Sequence, residues 1–126
     1  MAKLLDDTVL DGALNIIVNG ATQISLTDAQ PTTYGTATGT YALQIKSDLT
    51  SASFTVADDA VSPYGRKCTV AEVTADTVDT SGTANYVALC GATATLYAVT
   101  TCTAQSLVAG NTVTIPAWKI QIGDPT

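Results

Sequence analysis

Any chemistry in this chain has to come from carboxylates, thiols and hydroxyls, because its 126 residues include no histidine. A Ser–His–Asp nucleophile is excluded on that ground, since it needs an imidazole as its base. Two carboxylate doublets stand out, Asp6-Asp7 and Asp58-Asp59. A glycosidase places two carboxyl groups across one bond. Neighbours in sequence point to different faces, however, so a doublet alone does not make such a pair. Asp6-Asp7 is accounted for as a helix start. Asp58 and Asp59, with Asp48, have the oxygen chemistry that suits calcium, but EF-hand spacing is missing and a solvated loop explains them. Asp76 and Asp79 read as turn residues. The glycines at 35, 39, 91 and 110 belong to turns and form no phosphate-cradling motif.

The three cysteines are Cys68, Cys90 and Cys102. An odd count, no C-x-x-C and no histidine argue for buried thiols over a zinc site or a disulfide framework. Cys68 and Cys90 are expected on neighbouring strands. Arg66-Lys67 is the one basic doublet, read either as solvation at a strand start or as a contact for an acidic partner. Tyr34, Tyr41, Tyr64, Tyr86, Tyr97 and Trp118 can serve as a sugar platform, or as core and interface anchors. The expectation from this inventory is no catalytic residue, no cofactor and no metal.

Composition narrows the class. Eleven acidic residues against five basic ones give a net charge of −6, which lacks the basic stripe that nucleic acid requires. No apolar run approaches the ~18 residues of a transmembrane helix, so neither nucleic acid nor membrane is an expected partner. The start, MAKLLDDTVL, lacks the order of a signal peptide, and synthesis in a cytoplasm is expected. Charged residues make up only 13%. A surface this weakly charged and rich in Thr suits either one largely covered by partners or a soluble protein with a hydroxyl-rich exterior.

The elements that position these residues are mostly strands. Residues 66–75, 83–90 and 95–102 read as three strands of an antiparallel meander. The cluster at 76–82, rich in Asp, Thr, Ser and Gly, supplies the first turn. Residues 21–26, 41–46, 53–57, 112–115 and 118–122 are further strand candidates. In the last, Trp118, Ile120 and Ile122 alternate with Lys119 and Gln121, the pattern of a half-buried strand. Pro116 cannot donate to a ladder and marks an edge, a bulge or a crossing between sheets. Residues 27–40 form a connection with room for one helical turn. Residues 3–20 are the one helix, with Asp6 or Asp7 as its cap and Gly20 as a left-handed stop. Its apolar stripe is wide and must be buried against the sheet or against another molecule. The fold class expected is mainly β: a single domain of 1–126, an antiparallel sandwich of jelly-roll or immunoglobulin-like type (21–126) with an N-terminal helical arm (1–20).

Four stretches carry a resemblance. They are KLLDDTVLDGALNIIVNGA (3–21), QPTTYGTATGTYAL (30–43), SPYGRKCTVAEV (62–73) and NTVTIPAWKIQIGDPT (111–126). In order and spacing they resemble a family of short proteins encoded in the head-gene modules of tailed bacteriophages and prophages. Gly35 stands where those proteins tend to carry Ala. None of the motifs is catalytic. The resemblance implies a virion protein at the capsid surface, made in the bacterial host cytoplasm. Its implied role is decoration or cement: binding the major capsid protein and bridging its subunits, as a homo-oligomer with a trimer favoured. Head-completion, tail-tube or fibre-base components are the alternatives, with a virion-surface module that binds host or glycan as another. The residues expected to touch a partner are Leu4, Leu5, Val9 and Leu10 on the helix, Tyr34 in the first long connection, and Arg66 and Lys67.

Overall fold

A computed structural model describes residues 5–60 and 64–124. Leu4 lies outside them. Helix α1 spans Asp7–Gly20. The strands are β1 (Gln23–Thr27), β2 (Ala42–Lys46), β3 (Phe54–Asp58), β4 (Arg66–Val70), β5 (Val73–Thr77), β6 (Gly82–Cys90), β7 (Leu96–Leu107), β8 (Thr112–Ile115) and β9 (Trp118–Ile122). All of their pairings are antiparallel. The fold is therefore mainly β with one α-helix among the described residues, the coarse class that the β-branched composition and turn signals predict.

Asp6 is the cap of α1. Its Oδ1 accepts from the Thr8 N–H at 2.8 Å, which satisfies one of the orphan donors of the first turn. Hydrogen bonds from Thr8 hold the Asp6 carboxyl below its ordinary range. A depressed carboxyl contributes stability above its unfolded value and loses it as pH falls through the folded one. The far end differs from expectation. Gly20 is helical, and the helix closes with the Ala21 N–H on the Ile17 carbonyl at 2.8 Å. The reason for glycine there is space: a Cβ at position 20 would sit 2.1 Å from the Tyr97 hydroxyl.

The sheets separate where the sequence reads as continuous. One sheet has the order β2-β1-β6-β7, a second β3-β4-β9, and a third pairs β5 with β8. The expected meander is thus corrected. Its second and third members pair as β6 and β7. The first, 66–75, breaks into β4 and β5 and pairs with neither. Its partner is the C-terminal run instead. Arg66 faces Ile122, Val70 faces Trp118 and, past the break, Val73 faces Ile115. The register carries through unchanged, so β4-β5 and β9-β8 are one ribbon that turns a corner. The corner sets Ala71-Glu72 against Pro116-Ala117. Proline has no N–H to give the ladder, while the Ala71 N–H continues the β3 side of the pairing by donating to the Ser53 carbonyl at 2.9 Å. Beyond the corner a bulge lies between Val73 and Asp76. There Ala75 takes φ 50°, and its N–H donates to Thr114 Oγ1 at 3.1 Å.

One core draws on every sheet and on the helix. Leu14, Ile24, Leu43, Val70, Leu89 and Ile115 belong to it. The opposite face of the four-stranded sheet is covered by the 28–41 connection, which holds the expected helical turn at Thr36–Thr40. Gly35 takes right-handed helical angles and starts that turn. Ala37 packs on Ala88 and Cys90, and Ser25 Oγ donates to the Ala37 carbonyl at 2.9 Å.

The ribbon's start depends on Gly65. It sits at φ +89°, and a Cβ there would lie 2.2 Å from the Ile122 carbonyl oxygen. Both neighbours are backbone, so nothing yields cheaply. Replacing Gly65 with Ala should cost more than about 1 kcal/mol, measured by urea unfolding; an unchanged midpoint would mean that the β4–β9 approach is loose.

Candidate functional site

The residues singled out for chemistry are distributed over separate places in the fold. Asp48 bonds Lys46 at 2.8 Å, Asp58 bonds Arg66 at 2.7 Å, and Asp59 bonds Lys119 at 2.5 Å. Each carboxylate has its own cation, so the three do not converge. Among the described residues no group of three His, Cys, Asp or Glu side chains is arranged to hold a metal.

Arg66 is committed inside the chain. Its Nε and Nη2 donate to the two carboxylate oxygens of Asp11 at 2.7 and 3.1 Å, and its Nη1 donates to Asp58. The fork joins α1 to both strands of the β3–β4 pair, a bidentate geometry that arginine supplies and lysine does not. Hydrogen bonds from Asp11 and then Asp58 raise the guanidinium pKa above its usual value. Its side chain is only 17% exposed, so Arg66 holds the helix to the sheet and is not a free contact for an acidic partner. Lys67 follows on β4, opposite Ala57 and Gln121.

Asp59 overturns the solvated-loop expectation. Its side chain is 1% exposed, and its N–H donates to the Gly65 carbonyl at 3.0 Å. The adjacent Asp58 faces solvent at 81%, as alternation along an extended chain demands. A signal was present in the sequence: Lys119 is the lone charge in the alternating 118–122 run. Changing Asp59 to Asn keeps the shape and removes the charge, leaving Lys119 without its anion. Because Lys119 keeps some water contact, a loss of about 1–3 kcal/mol is expected. Thermal unfolding reads it, with Asp58 to Asn as the near-neutral comparison.

Several of the aromatics are anchors within the fold. The Tyr34 hydroxyl accepts from Gln23 Nε2 at 3.2 Å and donates to the Ala92 carbonyl at 3.1 Å, which pins the covering connection to the sheet. Tyr97 and Trp118 pack against the core. Among the described aromatics Tyr64 stands out, at 57% exposed.

Helix α1 is apolar on two sides. Leu10 and Leu14 are buried, and Ile17 and Val18 pack beside them. Leu10 therefore belongs to the core and not to a contact surface, and α1 is not a detachable arm. Leu5 is half-buried. On the other side Val9 and Ile16 are 58% and 63% exposed, with Gly12 and Ala13 exposed between them. Positions 9, 12, 13 and 16 share one helical face. The structure thus leaves an apolar stripe in water with small residues at its centre.

Cys68 and Cys90 lie in different sheets. Cys68 pairs across β3 and β9, while Cys90 pairs across β1 and β7 in another sheet. The expectation of neighbouring strands fails for this pair. All three are free, and burial pushes each thiol pKa up. Under native conditions alkylation should label Cys102, which is half-buried, and spare Cys68 and Cys90 until denaturant is added. Rapid native labelling of all three, followed by mass spectrometry, would contradict the packing.

Among the described residues no helix is long and apolar enough to cross a membrane. Comparison with family models, with curated proteins and with solved structures finds no match for this chain.

Proposed function

We propose that this chain is a structural protein of a bacteriophage virion, a decoration protein that binds the outside of the icosahedral head and stiffens it by bridging major capsid protein subunits. The resemblance to head-module proteins suggests the setting. The observation that carries the reading is the second apolar side of α1, formed by Val9, Ala13 and Ile16. That face is held rigidly by the Leu10–Leu14 side packed on the sheet and by the Asp11–Arg66 fork. Within the same proposal, the four-stranded sheet and the corner ribbon are the two layers of an antiparallel sandwich, a reading supported by their shared core.

The physical logic is mass action. A partner that binds the assembled lattice and not free subunits stabilises the lattice. A chain of this size can offer about 800 Å² to one neighbour, a standard interface side, and symmetric repetition turns weak contacts into avidity. The acidic surface sets the sign of any electrostatic contact, and the internal commitment of Arg66 leaves Lys67 as the member of the basic doublet for such a contact. The glycan-binding alternative has less support, because Tyr34, Tyr97 and Trp118 are engaged within the fold.

The test substitutes Val9 and Ile16 together with Asp and mixes the product with undecorated heads. Deleting the helix would be uninformative, since it removes Leu10 and Leu14 from the core. Both replaced side chains are exposed, so the circular dichroism and melting temperature should hold while binding weakens by at least ~10-fold, the loss expected of interface anchors. Decoration at wild-type affinity by the folded double variant would refute the role given to this face.

A further inference from the structure

Strand β7 ends the four-stranded sheet, and no strand among the described residues pairs with its outer side. Proteins blunt such edges with shortness, charge, proline or a covering segment. The other outer strands of the four- and three-stranded sheets follow that rule. On β2 the Leu43 carbonyl accepts from the N–H groups of Asp79 and Thr80 at 2.8 and 3.0 Å, and the strand ends on Lys46. β3 is five residues long and ends on Asp58. β9 is equally short and carries Lys119. β7 has twelve residues, LYAVTTCTAQSL, with no proline and no charge. On a chain of net charge −6, it is a long edge that a second copy can approach without like charges meeting.

A second observation lies beside it. A groove of about 410 Å³ runs between residues 100–105 of β7 and residues 113–118 at the ribbon's corner, over a floor of Leu26, Ala84 and Val87. The sheet stops at β7, and the groove begins there. The strand's regular run is 98–101, between a register shift at Tyr97 and a bulge after Thr101. Residues 98–101 face Leu89, Ala88, Val87 and Tyr86 in unbroken register, whereas Cys102, Thr103 and Ala104 bulge opposite Asn85.

We propose that two copies of this chain pair antiparallel through residues 96–101 of β7, joining their four-stranded sheets into one. The occupant of the edge is the same edge. About a two-fold axis, uncharged residues meet uncharged residues, and β-branched Thr and Val form the cross-strand pairs that stabilise sheets. Ala98 and Thr100 stand opposite the core residues Leu89 and Val87, so the partner's matching side chains extend the core face over the groove. A two-fold contact of this kind saturates at two copies, which assigns pairs in place of the trimer expected from sequence. The surface is distinct from the α1 stripe, and the proposal stands apart from head binding.

The test uses the isolated full chain without heads. Sedimentation velocity should give a dimer, and amide exchange of residues 96–101 should slow as concentration rises while residues 87–89 stay constant. Thr101 is exposed. Replacing it with Lys, the substitution that blocks natural edges, should shift the chain from dimer to monomer. Thr83 to Lys, exposed on the interior strand β6, should leave the dimer intact. A monomeric wild type, or a dimer that persists in the Thr101 variant, overturns the proposal. So does a dimer that dissociates on replacing Val9 and Ile16 but not Thr101. The concentration dependence of exchange in the wild type decides the matter even where the Thr101 variant misfolds, because β7 amides that exchange at one rate at all concentrations would exclude the pairing.

Discussion

The corner where Ala71-Glu72 meets Pro116-Ala117 is the constraint on which the rest of the structure depends. A straight ribbon of that length would carry β5 and β8 away from the core. Bending it without a change of register keeps Val70 and Val73 buried on either side of the corner, although the strands on each side belong to different sheets. The pairing offset is continuous from Arg66–Ile122 to Val73–Ile115, but Val70 and Val73 stand three apart and so at opposite parity, so the ribbon turns its other face to the core past the corner.

Few charges serve this frame, and several are used on one side of it. Asp11, Arg66 and Asp58 tie α1 to the β3–β4 pair. Asp59 and Lys119 tie the end of β3 to β9. Exposed ion pairs are worth little, but a bidentate fork at 17% exposure sets position as well as energy. A helix docked in this way can present an apolar outer face without sliding. The outer face of α1 thus has an orientation that charge fixes, while Val9, Gly12, Ala13 and Ile16 on it carry none.

Local signals in the sequence were readable and distant ones were not. The Asp6 cap, the alternation of Trp118, Ile120 and Ile122, the hairpin of β6 with β7 and the interruption at Pro116 all express short-range chemistry, and each has its counterpart in the structure. The split of 66–75 was invisible because Ala71-Glu72 contains no breaking residue. The bend is imposed from the opposite strand by Pro116, which lies far away in sequence. Asp59 was misread for a related reason: its partner Lys119 is equally distant, and a doublet hides the fact that its two members face opposite ways. The α1 surface was half legible. A stripe too wide for one sheet was evident, but which leucine turned inward depended on where β3 and β4 lie.

The ribbon also sets an order of events for the chain as it is made. β4 and β5 emerge well before β8 and β9, since Arg66 must wait for Ile122 and Val73 for Ile115. Pairings of such long sequence separation form slowly, because the entropy of closing the intervening loop is lost before any contact offsets it. In that interval β4 has only β3 beside it, and the Cys68 and Val70 side chains lack their cover from β9. The β6–β7 hairpin, with its near neighbours in sequence, is complete earlier and offers its uncharged edge to a chain whose ribbon is still open. The speed with which β9 finds β4 therefore sets how long an open ribbon and the β7 edge coexist.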